Sequence, residues 1–246
     1  MSKQPVISCR TCPLRDSSAF SGNTEAEITF IQDFKKRELR VASGGMIVRE
    51  NENTGELYTL LTGWAFRYRT MSDGRRQIFN FLLPGDFIGL QDQLEEASPH
   101  GIEALSAATL CVFPRSRLWD LYRAHPALGF DLTWLSAHEG LIVDENLLSV
   151  GQRSAVERIA MLLIHLYKRA ESLGLGDAES VPMPLTQQHF ADALGLSLVH
   201  TNKTLKRLEA LGLHTLERGK LKLLNPAAMA RLADYHALPL RGRPLI

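Results

Sequence analysis

The chain has 246 residues, 45% of them hydrophobic and 22% charged, and a net charge of +1; this composition excludes a disordered polymer and allows one large domain or two ordinary ones. No apolar run approaches the roughly 20 residues of a membrane-crossing helix, and Met1-Ser2-Lys3-Gln4-Pro5 lacks a signal-peptide core, so a cytoplasmic protein without a membrane partner is expected. The three cysteines, Cys9, Cys12 and Cys111, are an odd number in a chain without an export signal, which argues against a disulfide framework.

Residues 1–24 read as an N-terminal tail. It contains a C-x-x-C, Cys9-Arg10-Thr11-Cys12, whose alternatives are metal or cluster binding, dithiol chemistry and no role at all, since two ligands do not make a site. Glu25–Lys36 places Ile28, Ile31 and Phe34 at helical spacing. Short alternating segments follow, separated by turn residues: Leu39–Val41, Met46–Arg49, Leu57–Leu61, Trp64–Thr70, Gln77–Leu82, and a strand from Glu103 to Phe113. This spacing predicts an antiparallel β-barrel or roll over residues 25–125.

Pro114 ends the last strand, and Ser116 is placed to cap a helix opened by Arg117-Leu118-Trp119. A long helix is predicted over residues 126–150. Along it Leu128, Leu132, Leu135, Glu139, Ile142 and Asn146 alternate at four and three residues, a coiled-coil-like seam predicted to join two copies of the chain. A second row, Trp134, Leu141 and Leu148 with Ala137, is predicted to pack on the β domain; two apolar rows also describe a helix buried within one copy.

Gly151 marks the boundary to the last part, residues 151–246. A helix from Ser154 to Leu173 and a polar linker, Gly174–Ser180, lead to Leu185-Thr186-Gln187-Gln188-His189-Phe190-Ala191-Asp192-Ala193-Leu194-Gly195-Leu196-Ser197. Thr186 can cap a first helix, Gly195 allows a tight turn, and Ser197 can cap a second. On the second helix Thr201, Thr204, Leu205 and Leu208 mark an inner side and leave His200, Asn202, Lys203, Lys206 and Arg207 to face outward. Those side chains suit phosphates and base edges. His214–Leu224 then alternates around Gly219 as a hairpin. Together these parts outline a winged helix-turn-helix. Charge follows the same division: residues 1–150 hold 15 basic against 19 acidic side chains, while residues 151–246 hold 13 against 8. A basic half suits a phosphate backbone.

In this order the parts resemble the Crp/Fnr bacterial transcription regulators over nearly the whole chain. The resemblance is carried by Leu57–Ala65 with its Gly63 turn, Asp73-Gly74-Arg75-Arg76-Gln77-Ile78, Leu83-Pro84-Gly85-Asp86-Phe87-Ile88-Gly89, the long helix and the winged helix-turn-helix. It implies an α+β fold: an N-terminal antiparallel β-roll (cyclic-nucleotide-binding-like, a double-stranded β-helix), a long dimerisation helix and a C-terminal DNA-binding domain. It also implies a homodimer on a palindromic operator under control of the roll, with double-stranded DNA and RNA polymerase as partners and no catalytic residues.

Cyclic-nucleotide-binding members carry a glutamate shortly after the glycine and an arginine further on. Here Gly89 is followed by Leu90-Gln91-Asp92-Gln93-Leu94, and no arginine stands between Arg76 and Arg115. Cyclic AMP is therefore not the expected ligand, because its phosphate would lack a charged partner. Members similar to Fnr bind a four-iron four-sulfur cluster. Cys9, Cys12 and Cys111 stand where three of its ligands would, but Ser17 and Ser18 replace the remaining cysteine. An iron–sulfur or thiol-based redox regulator is the alternative reading; further alternatives are a signalling module without DNA binding and a C-x-x-C oxidoreductase. On the recognition helix, Leu198, Val199 and Lys203 replace the family's usual residues, which implies a distinct operator. The expected base contacts are His200, Asn202 and Lys203, and the expected phosphate contacts Thr186, Gln187, Ser197, Lys206 and Arg207.

Overall fold

The structure is a computed structural model that describes residues 6–90, 97–177, 179–236 and 242–246. Its first unit comprises Met1–Ala65, Leu82–Gly140 and Arg241–Ile246, and its second Phe66–Phe81 and Leu141–Leu240.

In the first unit Thr24 opens helix α1 (Glu25–Phe34) with a capping box, its hydroxyl accepting from the Glu27 amide while the Glu27 carboxylate accepts from the Thr24 amide. The strands of residues 37–114 are β1 (Arg37–Val41), β2 (Met46–Val48), β3 (Glu56–Thr62), β4 (Ala65–Thr70), β5 (Arg76–Leu82), β6 (Phe87–Ile88), β7 (Gly101–Ala104) and β8 (Ala108–Pro114), of which β4 and β5 fall almost wholly in the second unit. An antiparallel sheet has the order β1-β8-β3-β6, and β2 pairs with β7. The period-two alternation of strands divides the side chains between two cores. Leu57, Leu61, Cys111 and Phe113 join Ile31, Phe34 and Leu121 on one side, whereas Tyr58, Leu60, Leu110 and Val112 join Ile47 and Ile102 on the other. The expected α+β class and antiparallel β-rich N-terminal part are both present.

Glu103–Phe113, read as one strand, is two. Leu105-Ser106-Ala107 turns away to serve Trp64, whose carbonyl accepts from the Leu105 amide at 2.8 Å and whose amide donates to Ser106 Oγ at 3.0 Å. Ser116 does not cap the next helix. Arg115–Arg117 form a 3-10 turn, and α2 (Leu118–Ala124) follows Arg117 without a side-chain cap.

The long helix α3 (Pro126–Gln152) runs through Gly151, and the row predicted to join two copies is taken up by the chain's own core. Leu128, Leu132 and Leu135, predicted to face a second copy, are buried in the first unit's core. Further along the same row, in the second unit, Asn146 Nδ2 donates to the Phe79 carbonyl at 2.7 Å. The row predicted to pack on the β domain does so only at Trp134, which is half-buried against the first unit's core; further along it is open, Leu141 being 64% exposed and Leu148 48%, and Phe130, one turn before Trp134, is 69% exposed. A 4-3 repeat states that two faces exist; which face the chain's own core takes depends on tertiary packing.

In the second unit Ser154 and Glu157 form a capping box for α4 (Ala155–Ser172). Next come β9 (Val181–Pro182), α5 (Gln187–Leu194), α6 (Leu198–Ala210), β10 (His214–Glu217), β11 (Lys220–Leu223) and α7 (Pro226–Ala233), with a small antiparallel sheet ordered β10-β11-β9. Ile159, Ala160, Leu163 and Ile164 on α4 are buried, as are Phe190 and Leu194 on α5, Leu205 and Leu208 on α6, and Met229 on α7. This is a winged helix-turn-helix. Among the described residues no helix is long and apolar enough to cross a membrane.

Candidate nucleic-acid interface

The reader is built from local signals. Thr186 Oγ1 accepts from the His189 amide at 3.3 Å, and His189 Nδ1 accepts from the Thr186 amide at 3.0 Å, a capping box with an imidazole in place of the usual carboxylate. Gly195 ends α5 in the left-handed region with φ 63°, a conformation that a side chain at this position would oppose. Ser197 then caps α6 by accepting from the His200 amide at 3.2 Å.

Thr201, Thr204, Leu205 and Leu208 are buried, as their spacing predicts. His200, Lys203, Lys206 and Arg207 are exposed, Asn202 is half-buried, and Thr186, Gln187 and Ser197 lie exposed at the helix starts. The face also presents Val199, which is 78% exposed and was absent from the expected contacts.

At the wing, Glu217 and Lys220 pair across a two-residue turn in which Arg218 takes φ 50° and Gly219 φ 74°. Two wing lysines are engaged within the unit: Lys220 Nζ lies 3.1 Å from Asp177, and Lys222 pairs with Glu179. Amides of residues 179 and 180 and the Lys220 ammonium hold the Asp177 carboxyl well below the usual carboxylate range.

The β4–β5 hairpin, which belongs to this unit, supports α5. Arg76 Nε lies 2.9 Å from Asp192 Oδ2, the Arg76 guanidinium sits over the Phe66 ring at 4.8 Å, and Gln77 Nε2 donates to the Ala193 carbonyl at 3.0 Å. The Phe66 and His189 rings are 5.2 Å apart. Burial, and then the nearby Arg76 cation, hold the His189 imidazole below its ordinary pKa. Sequence motifs gave no sign of this support, because residues 76 and 192 meet only in the folded chain.

The three cysteines do converge. The N-terminal segment, expected to be a loose tail, is folded into 3-10 turns at Cys9–Thr11 and Pro13–Asp16. The Cys9 amide donates to Gln32 Oε1 at 2.6 Å, Arg15 Nε donates to the Cys9 carbonyl at 2.8 Å, and Glu38 Oε1 accepts from the Ile7 amide and from Lys35 Nζ, both at 2.8 Å. Cys9, Cys12 and Cys111 line one cavity of about 20 Å³, together with Ile31, Leu61, Phe113, Leu245 and Ile246. Burial raises the Cys9 thiol and pushes Cys111 up to about 11, with Lys35 pulling both the other way.

The residues present do not fit an iron–sulfur cluster. Such a cluster requires about four ligands, usually thiolates, and this cavity has three thiols and room for about one water-sized body. Among the described residues no group of three or more Cys, His, Asp or Glu side chains is arranged to hold a metal ion. Most of the stretch compared with the cyclic-nucleotide cassette, residues 91–96, lies outside the described residues.

Known proteins match both halves. A family model described as a cyclic nucleotide-binding domain matches residues 38–125, and one described as a Crp-like helix-turn-helix domain matches residues 157–232. The chain is 31% identical over 225 residues to the nitrogen fixation regulation protein FixK of Bradyrhizobium diazoefficiens, covering 92% of this chain and 93% of that protein. It is 27% identical over 212 residues to the transcriptional activator protein FnrL of Cereibacter sphaeroides, covering 85% and 84%. Among solved structures, FixK2 from Bradyrhizobium japonicum aligns with a TM-score of 0.71 at 27% identity, covering 82% of this chain and 97% of that one.

Proposed function

Because this chain belongs to the Crp/Fnr family and is a DNA-binding transcription regulator, we propose that a homodimer reads a palindromic operator with α6 of each copy in successive major grooves. The observation that carries this reading is the exposed face of α6, where Val199, His200 and Lys203 continue into Lys206 and Arg207 on a helix capped at Ser197. The two-fold axis sets the half-sites about 34–36 Å apart.

His200, Asn202 and Lys203 are assigned to base edges. Val199 joins them: an apolar side chain can contact a thymine methyl but cannot accept from cytosine N4. Thr186, Gln187, Ser197, Lys206 and Arg207 are assigned to phosphates, where they fix register without reading sequence. The capping hydroxyls of Thr186 and Ser197 each retain a donor for a phosphate oxygen. Arg218 is the wing residue best placed to add a phosphate contact, since Lys220 and Lys222 are already paired.

The dimer is assigned to the open side of α3, Phe130, Ala137, Leu141 and Leu148. The protein works in the cytoplasm with RNA polymerase as its partner, and it catalyses no reaction. Selection of bound duplexes from a random pool, followed by a salt titration, tests the reading. Recovery of a two-fold symmetric site is expected, with affinity falling steeply as salt rises. Lys203→Ala should lower affinity for that site about tenfold or more and relax its sequence preference. Lys206→Ala should weaken all duplexes alike and reduce the salt slope by about one. A dimer that retains no duplex at low salt would overturn the proposal.

A further inference from the structure

Across three strands of the first unit, Glu38 on β1, Cys111 on β8 and Thr59 on β3 stand directly opposite one another, so their side chains share one face of the sheet. Glu38 and Thr59 each also meet a distant part of the same chain. Glu38 takes Lys35 and the Ile7 amide, while Thr59 Oγ1 donates to the Ile246 main-chain oxygen. Cys9 from the N-terminal segment and Leu245 and Ile246 complete the lining around Cys111. Leu245 is 3% exposed and Ile246 5%.

The segment leading to these two residues is pinned just outside the pocket. The Arg243 amide donates to the Ala19 carbonyl and the Ser21 amide to the Arg243 carbonyl, both at 2.8 Å, while Arg243 Nη2 lies 2.7 Å from Asp86 Oδ1. The guanidinium is stacked over Phe20 at 5.6 Å. Gly242 passes so close that a Cβ there would come within 2.9 Å of the Ser21 amide nitrogen.

We propose that Gly242–Ile246 is a removable plug of the three-thiol pocket: seated, it shuts Cys9 and Cys111 away from soft electrophiles, and an adduct on Cys111 forms only as Leu245 and Ile246 leave. The argument is one of space. The cavity has room for about one water-sized body, so a group added to the Cys111 sulfur must displace part of the lining. Phe113, Leu61 and Ile31 belong to the sheet and helix core, and Cys9, Cys12, Leu14 and Arg15 to a segment tied to Gln32, Lys35 and Glu38, whereas Leu245 and Ile246 are held by a short strap whose release disrupts no strand. Plug and adduct therefore exclude each other, and by linkage each weakens the other.

N-ethylmaleimide tests this on the full chain. A cysteine sulfur adds to its carbon–carbon double bond, one S–C bond forms, the thiol hydrogen ends on the neighbouring carbon, and nothing leaves. Peptide mass mapping then gives a rate for each cysteine. The partly exposed Cys12 should label first, with Cys111 slower by about tenfold or more, as expected for a site that reacts through local opening. Ile246→Asp and Gly242→Val should each speed Cys111 by about tenfold while Cys12 stays within about twofold, and Ile246→Val should match the parent.

Conversely, protein labelled at Cys111 should lose Gly242–Ile246 to trypsin cleavage after Arg241 faster than unlabelled protein. Equal Cys111 rates in parent and both disruptive variants would overturn the proposal, as would a Cys111 adduct whose plug is still protected from trypsin. If Ile246→Asp loses its cooperative melting, Gly242→Val, which leaves the pocket lining unchanged, decides the question.

Discussion

Lys35 and Glu38 form an ion pair at 2.8 Å with side-chain exposures of 2% and 7%. Burial alone would lower the Lys35 pKa, but the bond to Glu38 leads the interactions that hold it above the ordinary value. Removing one partner of such a pair leaves an uncompensated buried charge, so Glu38→Ala should cost about 3–5 kcal/mol in denaturant unfolding. His189 carries the opposite sign of shift. Its folded pKa lies below the ordinary histidine value, as does that of His214, which burial also lowers. The unfolded chain therefore binds protons more readily at these sites. Their contribution to stability is full above about pH 6.5 and is lost as pH falls through that region. The thermal midpoint should drop between about pH 7.5 and 5.5, and His189→Gln, which can keep the capping box, should flatten that dependence. Equal slopes in the two proteins would remove His189 from this account. The caps at Thr186 and Ser197 were legible in the sequence because each stands directly before its own helix, whereas Ser116 lies inside a 3-10 turn. The Lys35–Glu38 pair and its bond to Ile7 were not, because they depend on how the N-terminal segment lies against β1.

Helix α3 separates what periodicity can say from what it cannot. Its 4-3 spacing correctly marks a long helix with two apolar rows, but both rows satisfy the same repeat. Packing chose Leu128, Leu132 and Leu135 for the core and left Phe130, Leu141 and Leu148 open. The two faces should respond differently to charge. Leu141→Glu should shift the protein from dimer to monomer in sedimentation experiments while preserving its circular dichroism spectrum, whereas Leu132→Glu should unfold the first unit. A dimer unchanged by Leu141→Glu would move the interface elsewhere. The α5–α6 turn was fully legible, since a glycine between two capped helices has few other readings. Gly195→Val should lower stability by about 1–2 kcal/mol, because φ 63° opposes a β-branched side chain.

For the molecule as a whole, the order of parts was the informative signal: short strands, one long helix, then a winged reader. Chain order did not reveal that the compact units interleave. Phe66–Phe81 belongs with the reader, and Arg241–Ile246 belongs with the sheet-rich unit. The first assignment follows from pairs such as Arg76–Asp192, and the second from Arg243–Asp86 and Thr59–Ile246; no window of sequence contains both members of any of them. The final strap therefore bears on how such regulators could recombine. A crossover within α3 that exchanged everything downstream would separate Asp86, Phe20 and Thr59 from the residues that complete them, even though both parental folds were intact. A workable hybrid would carry Gly242–Ile246 from the same parent as Asp86, Phe20 and Thr59, and Phe66–Phe81 from the parent of its reader, so inheritance in this molecule is partitioned by contact and not by position along the gene.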